Sequence, residues 1–366
     1  MTQASENATN NGSNIFSQLA TFDHEQMVFC NDNATGLRAI ICIHNTVLGP
    51  GLGGTRFYNY ASEQDAIIDV QRLARGMSFK SSIAGLNLGG AKAVIMGDPS
   101  KLKSEAFFRK FGRFIENLNG KYITAEDVGT TTKDMEYIKM ETDNVVGLPE
   151  IKGGGGDPSP VTAYGVYMGM KASAKETWGS DSLSGKRVSV QGIGKVGEHL
   201  VEHLTKEGAK VYISDVNQEA LARVSKTYNA EVVAKDAIYG LDVDIFAPCA
   251  MGAILNTENI HQLKAAIICG AANNQLADEV LHGKLISNNN INYAPDFLVN
   301  SGGIINVYSE LTGYNRQIAY AQAENIYNQT LEIYKKAKED KITTHHAALQ
   351  IAEKRIHDYA KVKSTY

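Results

Sequence analysis

The chain has few of the residues that mark secreted, metal-binding or membrane proteins. Its four cysteines, Cys30, Cys42, Cys249 and Cys269, form no C-x-x-C pair, so neither a disulfide framework nor a structural zinc site is expected. No apolar run approaches the ~20 residues that a membrane-spanning helix needs. The 36 Lys and Arg do not exceed the 40 Asp and Glu, which gives no electrostatic reason to expect nucleic acid or an anionic membrane as a partner. These absences predict a cytoplasmic globular protein with reduced, buried thiols.

The length and the polar N-terminus predict two domains behind a tail. A chain of 366 residues is long for a single hydrophobic core. Residues 1–13 are rich in Asn, Ser and Thr and are predicted to be a disordered tail, and the absence of Lys and Arg there argues against a signal peptide. Four glycines and two prolines within 153–160 are typical of a hinge between domains, although an ordinary surface loop would look the same.

Strand-like and helical patterns alternate along the chain and predict an α/β fold. In the first part, a glycine-rich loop is expected over 45–54, followed by a helix from Ser62 to about Met77. Further on, six short β-branched runs separated by helical stretches predict a doubly wound parallel sheet of the Rossmann type. These runs cover residues 188–191, 211–214, 231–233, 243–247, 266–269 and 291–294.

A glycine motif between a strand and a helix predicts a dinucleotide site. The strand-like run 188–191 leads into Gly192, Gly194 and Gly197, spaced as G-x-G-x-x-G, where the helix N-terminus would face a pyrophosphate. Asp215 follows 18 residues after Gly197, near the position of a carboxylate that binds the ribose 2′-hydroxyl. No Arg lies nearby to accept a 2′-phosphate, which favours NAD over NADP. The alternative is a glycine-rich turn that binds no ligand.

A second motif is better explained without chemistry. His199-Leu200-Val201-Glu202-His203 fits the H-x-x-E-H pattern of some zinc peptidases. On a helix, however, Leu200, Val201 and Leu204 form the buried face, so both histidines point to the wetter side. The sequence therefore predicts no metal site.

Two lysines stand in apolar, glycine-flanked segments. Lys80 follows Met77-Ser78-Phe79, and Lys92 follows Leu88-Gly89-Gly90-Ala91. Burying an unpaired ammonium costs several kcal/mol, so a lysine in such a place can be an anion anchor, a Schiff-base amine or a base. The structural alternative is that both amines reach the surface along their apolar stems.

Several motifs in one order resemble a known enzyme family. They are Gly49 to Arg56, Arg72 to Lys80, Gly85 to Lys92 and Thr124 to Thr130, continued by 158–165, 247–250, 270–275 and 293–296. Together they resemble the amino-acid dehydrogenases of the glutamate/leucine/phenylalanine/valine group, most closely its leucine-type members. The resemblance covers nearly the whole chain apart from the N-terminal tail.

The resemblance implies reversible oxidative deamination of an L-amino acid to a 2-oxo acid and ammonia, with NAD as the hydride acceptor. Lys92 resembles the catalytic general base, and Asp127 the carboxylate that exchanges protons with the substrate amine. Lys80 resembles the lysine that binds the α-carboxylate, together with backbone amides at Gly53 and Gly54. The residues that resemble groups holding the nicotinamide end and the substrate amine in register are Thr162, Asn273 and Asn274.

The same resemblance assigns a side-chain pocket to Leu52, Ala125, Ile304 and Val307. Phenylalanine-type relatives tend to have glycine at the first two of these positions, so aliphatic walls suit leucine, isoleucine or valine. Such discrimination is worth only ~1–3 kcal/mol per methylene and does not rank the three. One departure from the family pattern is Ala91, where leucine-type members commonly have a third glycine before the lysine.

The implied architecture is two domains around a cleft. Residues 14–148 with 333–366 would form the substrate-binding and oligomerisation domain, and 149–332 the Rossmann-type NAD-binding domain. Members of the family are homo-oligomers, often octamers.

Three competing functions explain the sequence less well. A Schiff-base lysine enzyme would leave the G-x-G-x-x-G motif unexplained, and a 2-hydroxy-acid dehydrogenase needs a His–carboxylate pair that these motifs lack. A non-enzymatic NAD sensor would not need both lysines and Asp127.

Overall fold

The computed structural model describes residues 14–363, and its contacts divide the chain into two compact units. The first unit comprises residues up to 78 together with 88–145, and the second comprises 79–87 and the chain from 146 onward. The tail predicted over 1–13 lies outside the described residues.

The first unit is built on a mixed five-stranded sheet. Its strands, in chain order, are β1 (Gln26–Asp32), β2 (Leu37–Asn45), β3 (Gly51–Tyr58), β4 (Gly89–Met96) and β5 (Tyr122–Glu126). Their order across the sheet is β1-β2-β4-β3-β5. The pairs β1/β2 and β2/β4 are antiparallel, whereas β3 pairs in parallel with both β4 and β5. The helices that begin in this unit are α1 (Ile15–Thr21), α2 (Glu63–Ile83), α3 (Pro99–Leu102), α4 (Glu105–Glu116) and α5 (Thr132–Lys139).

The glycine-rich loop predicted over 45–54 is wrong in its second half, because residues from Gly51 onward form β3 at the inside of this sheet. The reason is a close approach of backbones. An ideal Cβ on Gly53 would lie 1.7 Å from the carbonyl oxygen of Ala91, and one on Gly54 would lie 2.6 Å from the carbonyl oxygen of Glu126. Glycine is therefore used here to let strands approach one another rather than to make a turn.

Helix α2 extends to Ile83 and does not end near Met77 as the sequence predicted. Gly76 weakens a helix by ~1 kcal/mol relative to Ala, but this cost is outweighed by tertiary contacts of the following turn. Phe79, together with Ser81 and Ser82, is buried. Lys80 consequently lies in the last helical turn, which belongs to the second unit.

The second unit contains the predicted doubly wound sheet, and the prediction is confirmed. All six strands are parallel: β6 (Arg187–Gln191), β7 (Lys210–Ser214), β8 (Glu231–Val232), β9 (Ile245–Pro248), β10 (Ile267–Ile268) and β11 (Asn292–Tyr293). Their order is β11-β10-β9-β6-β7-β8. This is the order of a Rossmann fold, in which the first strand lies at the centre and the chain turns back beside it.

Helices in the second unit connect these strands and continue to the C-terminal end. They are α6 (Ser159–Trp178), α7 (Lys195–Lys206), α8 (Gln218–Tyr228), α9 (Thr257–Gln262), α10 (Glu279–Asn288), α11 (Asp296–Val299), α12 (Gly302–Glu310), α13 (Arg316–Glu324), α14 (Ile326–Asp340) and α15 (Thr344–Lys363), preceded by a 3-10 turn at Glu150–Lys152. No helix among the described residues is long and apolar enough to cross a membrane.

The C-terminal helices group differently from the predicted domains. The sequence placed 333–366 with the first domain, whereas their contacts place them in the second unit. Helix α14 packs against α6. Arg355 of α15 donates hydrogen bonds to the carbonyl oxygens of Ser82, Gly85 and Leu86 just after Lys80. The functional division into a substrate domain and a cofactor domain stays a prediction.

The glycines at 153–156 belong to an anchored segment. The backbone N–H groups of Gly147 and Gly155 both donate to the carboxylate of Glu310 on α12, at 2.9 and 2.8 Å. Burial raises the pKa of Glu310 above its ordinary value, although the backbone hydrogen bonds oppose this shift. The chain from Gly147 to Gly155 is thus fastened to Glu310 at two points, which an unattached surface loop would not be.

We expect Gly51 and Ala91 to be coupled in size, because an ideal Cβ on Gly51 would lie 2.8 Å from the Cβ of Ala91. Gly51→Ala should lower the free energy of unfolding by ~1–3 kcal/mol through overpacking. Adding Ala91→Gly should recover most of this loss, because the double variant has one methyl group at this contact, as the wild type does, but on β3 instead of β4. Thermal unfolding midpoints at fixed protein concentration measure the cycle.

The matched control for this cycle is Gly76→Ala, because nothing lies within 4 Å of a Cβ at that position. It should leave the protein as stable as before or raise its stability slightly. Strictly additive effects of Gly51→Ala and Ala91→Gly would contradict the coupling.

Candidate active site

Apart from Gly53, the site residues predicted in the first unit share one face of its sheet. Side chains alternate along a strand, so Leu52, Gly54 and Arg56 lie on the same face of β3. The register places Ala125 of β5 beside Gly54. It also places Ala93 of β4 beside Thr55. Lys92 is one residue before Ala93 and Arg56 is one residue after Thr55, so the side chains of Lys92 and Arg56 both lie on the face opposite to that pair. Asp127 follows the end of β5 on the same side.

Lys92 is buried and paired. Its side chain is 7% exposed, and its Nζ lies 3.0 Å from Oδ2 of Asp127. An ideal Cβ on Gly54 would lie 3.0 Å from the Cβ of Asp127, so the glycine leaves room for that carboxylate to reach the lysine. The alternative in which both lysine amines extend to the surface therefore does not hold for Lys92.

The environment of Asp127 favours its ionised form. Burial by itself raises the pKa of this carboxyl, but the positive charges of Lys92 and Arg56 outweigh that effect, helped by hydrogen bonds from Lys92 and the Val128 backbone. The net result is a pKa below the ordinary value of aspartic acid. A carboxylate held as the anion beside an ammonium group can accept and return a proton from a third group placed next to them.

Arg56 is a member of this cluster to which the sequence analysis gave no role. Its Nε lies 3.1 Å from the same Oδ2 of Asp127, and its Nη1 lies 3.0 Å from Oδ2 of Asp69 on α2. The Tyr60 hydroxyl donates to that Asp69 oxygen at 2.6 Å. The available signal was a charged residue two positions after a glycine run, in a motif that the sequence analysis used only for the family resemblance.

The glycine turn between β6 and α7 has the geometry that its glycines predict. Gly192 has φ +93°, and a Cβ there would lie 2.6 Å from the Cβ of Ala250. A Cβ on Gly197 would lie 2.1 Å from the carbonyl oxygen of Gly192, so helix α7 packs directly on the turn. Nothing lies within 4 Å of a Cβ at Gly194, the N-cap of α7, which leaves open space before the helix N-terminus.

Asp215 follows β7 and is tied to the same loop. Its Oδ2 accepts the backbone N–H of Ile193 at 2.7 Å, and its Oδ1 accepts that of Asn217 at 2.8 Å. The carboxylate is thereby held beside the glycine turn. A helix N-terminus facing open space, with a fixed carboxylate at the next strand end, fits a dinucleotide.

Lys80 and Asn273 approach each other within the second unit. Lys80 Nζ donates to Asn273 Oδ1 at 3.5 Å, and Asn300 Nδ2 donates to the same oxygen at 2.8 Å. Asn300 is buried and also donates to the carbonyl oxygen of Ala271 at 3.1 Å. Asn274 has φ +50°, a left-handed conformation that asparagine tolerates better than most residues. Asn300, which the sequence analysis did not name, thus orients Asn273.

Helices α6 and α12 carry the remaining predicted residues. Thr162 lies in the first turn of α6 and donates its hydroxyl to the carbonyl oxygen of Pro158 at 2.9 Å. An ideal Cβ on Gly302 would lie 2.6 Å from the Cα of Thr162, so the two helix starts are in close contact. Ile304 is buried in α12, with Val307 one turn further along.

The structure gives no support to the H-x-x-E-H pattern as a metal site. Among residues 14–363, no group of three or more His, Cys, Asp or Glu side chains is placed to hold a metal ion. His199 Nδ1 lies 3.5 Å from a Glu202 carboxylate oxygen, and His203 stacks on the ring of Tyr167.

Two sequence profiles of one family match the chain. The profile described as Glu/Leu/Phe/Val dehydrogenase, dimerisation domain, matches residues 24–144. The profile described as Glutamate/Leucine/Phenylalanine/Valine dehydrogenase matches residues 153–218 and 212–363. The first match falls on the unit with the mixed sheet, and the second covers the Rossmann sheet and the C-terminal helices.

Individual relatives agree with these profiles. A leucine dehydrogenase of Geobacillus stearothermophilus is 54% identical over 352 residues, which is 96% of each chain. A phenylalanine dehydrogenase of Caldalkalibacillus thermarum is 46% identical over 96% of this chain and 95% of its own. The crystal structure of L-tryptophan dehydrogenase from Nostoc punctiforme has a TM-score of 0.86 and 42% identity, and the match covers 94% of this chain and 99% of that one.

These matches identify the chain as an amino-acid dehydrogenase similar to leucine dehydrogenases, and the resemblance seen in its motifs is confirmed. Profiles, relatives and fold agree over almost the whole length. The chain belongs to the Glu/Leu/Phe/Val dehydrogenase family.

Proposed function

We propose that the protein catalyses the reversible, NAD-dependent oxidative deamination of branched-chain aliphatic L-amino acids, namely leucine, isoleucine and valine, to 2-oxo acids and ammonia. The observation that carries the proposal is the buried Lys92–Asp127 pair, 3.0 Å apart on a glycine-lined sheet face. The same chain has a dinucleotide-type loop and, among its relatives, leucine dehydrogenases at 54% identity.

In this proposal the protein groups position the substrate and move protons. Lys80 and the backbone amides of Gly53 and Gly54 bind the α-carboxylate, so the ammonium charge balances that of the substrate. Asp127 takes a proton from the substrate amine, and Lys92 in its neutral form removes a proton from the water that attacks the imino acid. Collapse of the resulting carbinolamine releases ammonia and leaves the 2-oxo acid.

NAD, when bound, supplies the oxidant that accepts the hydride from the substrate Cα. The turn of Gly192, Gly194 and Gly197 would hold its pyrophosphate at the N-terminus of α7, and Asp215 would accept a hydrogen bond from the ribose. Thr162 and the pair Asn273/Asn274 hold the nicotinamide end and the substrate amine in register. Orientation of these groups contributes more to hydride transfer than any protein nucleophile would.

The choice of substrate rests on four aliphatic side chains. Leu52, Ala125 and Ile304 are 2%, 9% and 5% exposed, and Val307 lies on the same helix as Ile304. Apolar walls of this kind favour an aliphatic side chain and leave a glutamate carboxylate without a partner. Relatives of similar identity are named for leucine, phenylalanine and tryptophan, so the pocket decides the substrate more directly than overall identity does.

We further propose that residues 14–148 with 333–366 serve as the substrate-binding and oligomerisation domain and 149–332 as the NAD-binding domain. A family profile described as a dimerisation domain matches 24–144, which supports a homo-oligomer. An octamer is the assembly size we propose, and sedimentation of the intact protein at several concentrations tests it.

Lys92→Ala should lower kcat by about 100-fold or more, because it removes the base while leaving the cofactor loop intact. Lys80→Ala should instead raise KM for the amino acid by about tenfold or more, because the carboxylate loses its counter-charge. Steady-state NADH formation measures both, and NADH binding by fluorescence confirms that each variant is folded. A Lys92→Ala enzyme with unchanged kcat would refute the catalytic assignment.

The wild-type protein should prefer NAD to NADP by at least about tenfold in kcat/KM, since Asp215 repels a 2′-phosphate. Asp215→Asn should make that ratio smaller, because kcat/KM with NAD should fall and kcat/KM with NADP should rise. Glu332→Gln, which removes a charge from the exposed face of α14, is the matched control and should leave the ratio unchanged. Equal use of both cofactors by the wild type would rule out the assigned role of Asp215.

The double variant Leu52→Gly/Ala125→Gly should shift kcat/KM from leucine toward phenylalanine. Removing an isobutyl group and a methyl group makes room for a ring, whose burial gains transfer free energy, while leucine loses packing against the emptied wall. The ratio of the two kcat/KM values is compared among wild type, both single variants and the double variant. If a folded double variant that binds NADH keeps the wild-type ratio, these residues do not line the pocket.

A further inference from the structure

The Lys92–Asp127 pair continues into a longer row of alternating charges within the first unit. Lys92 Nζ and Arg56 Nε lie 3.0 and 3.1 Å from one and the same atom, Oδ2 of Asp127. On its other side, Arg56 Nη1 lies 3.0 Å from Oδ2 of Asp69. The row is therefore ammonium, carboxylate, guanidinium and carboxylate, and its formal charges sum to zero while Lys92 is protonated.

The four groups are differently shielded from water. The side chain of Lys92 is 7% exposed, whereas those of Asp127, Arg56 and Asp69 are 23%, 25% and 30% exposed. Charges that are partly withdrawn from water influence one another more strongly than exposed pairs do. A change of charge at Asp69 or Arg56 should consequently be felt at Lys92.

The two cations of the row differ in chemistry. An arginine stays protonated at any working pH, whereas a lysine ammonium can lose its proton. When Lys92 is neutral, the row keeps Arg56 as its one cation against two carboxylates. Without Arg56, loss of the lysine proton would leave both carboxylates uncompensated, so the proton would be held more tightly.

Two tyrosine hydroxyls near the row are neutral. Tyr60 donates its hydroxyl to Asp69 at 2.6 Å, and Tyr122 of β5 lies on the other face, where its hydroxyl donates to the carbonyl oxygen of Gly53 at 2.8 Å. Burial raises the pKa of both phenols above the ordinary value, and in Tyr60 the Asp69 carboxylate adds to the shift. Neither contributes charge to the row at the pH of an assay.

We propose that Arg56 is a positioning residue for the deamination reaction: by sharing the Asp127 oxygen with Lys92, it keeps that carboxylate from locking the lysine in its protonated form. Asp69, on the outer side, holds the guanidinium in place and opposes its effect. The inference rests on the proposed function, in which neutral Lys92 is the general base.

The test is the pH dependence of kcat, followed as steady-state NADH formation with the full-length enzyme, saturating NAD and saturating L-leucine, because this rate includes the step after hydride transfer in which Lys92 acts. Arg56→Gln should move the acidic limb of the profile to higher pH by about one unit, the size expected for loss of a neighbouring charge. Asp69→Asn should move it in the opposite direction, by on the order of half a unit. Arg56→Lys keeps a cation and should restore most of the wild-type profile.

Arg113→Gln is the matched control, because it removes an arginine–carboxylate pair from the surface of the same unit, where Arg113 Nε donates to Glu141 at 2.8 Å. It should leave the acidic limb where it is in the wild type. NADH binding and thermal midpoints establish that each variant is folded.

Opposite shifts in Arg56→Gln and Asp69→Asn support the proposal, since a general loss of structure would not change sign with charge. The proposal is overturned if the acidic limbs of both variants stay at the wild-type pH or if both move in the same direction. Should Arg56→Gln fail to fold, the direction of the Asp69→Asn shift decides alone. A fully active Lys92→Ala enzyme would instead refute the proposed function itself, so the two failures are distinguishable.

Discussion

The close approach of β3 to its neighbours is the constraint on which the candidate active site depends. Three of the four residues from Gly51 to Gly54 lack a side chain, and at Gly53 a Cβ would overlap the carbonyl oxygen of Ala91 at 1.7 Å. On the face of β4 that also carries Lys92, a Cβ on Gly90 would lie 2.1 Å from the backbone nitrogen of Ser78 in α2. Backbone, rather than side chains, fills this part of the core. That is why Lys92 is surrounded tightly enough to exclude most water while its Nζ still reaches Asp127.

Tight packing makes the electrostatics of the site effective. In water an ammonium and a carboxylate 3.0 Å apart would be worth little, but Lys92 is almost wholly buried and its partner is three-quarters covered. Because two cations contact one oxygen of Asp127, the carboxylate stays ionised although burial opposes its charge. The steric and electrostatic parts of the site therefore depend on the same glycines: a side chain at position 54 would displace Asp127, and one at 53 would separate β3 from β4.

In the second unit, glycines also allow close packing of the backbone, here between a turn and a helix. At Gly197 the missing Cβ lets α7 pack on the turn, at Gly192 it lets the turn approach Ala250, and at Gly194 there is open space before the helix N-terminus. Asp215 is held by the Ile193 backbone, so the loop and the carboxylate form one preorganised element. Glycine thus has three separate effects in this protein: it lets strands approach one another, it lets a helix pack on a turn, and it leaves open space before a helix N-terminus.

Local patterns in the sequence were sufficient for the Rossmann sheet, the G-x-G-x-x-G turn and the family, because β-branched runs and glycine spacing encode neighbouring backbone geometry directly. The unusual context of Lys92 was also visible. By contrast, the strand at Gly51, the extension of α2 to Ile83 and the roles of Arg56 and Asn300 depend on residues distant in the chain. A glycine run has no local signature that distinguishes a turn from a buried strand, since the contacts that require glycine come from Ala91 and Glu126. The sequence by itself determined which chemical groups are present and in which elements they lie; only the tertiary structure decided which charges share an oxygen, because that depends on distances between strands.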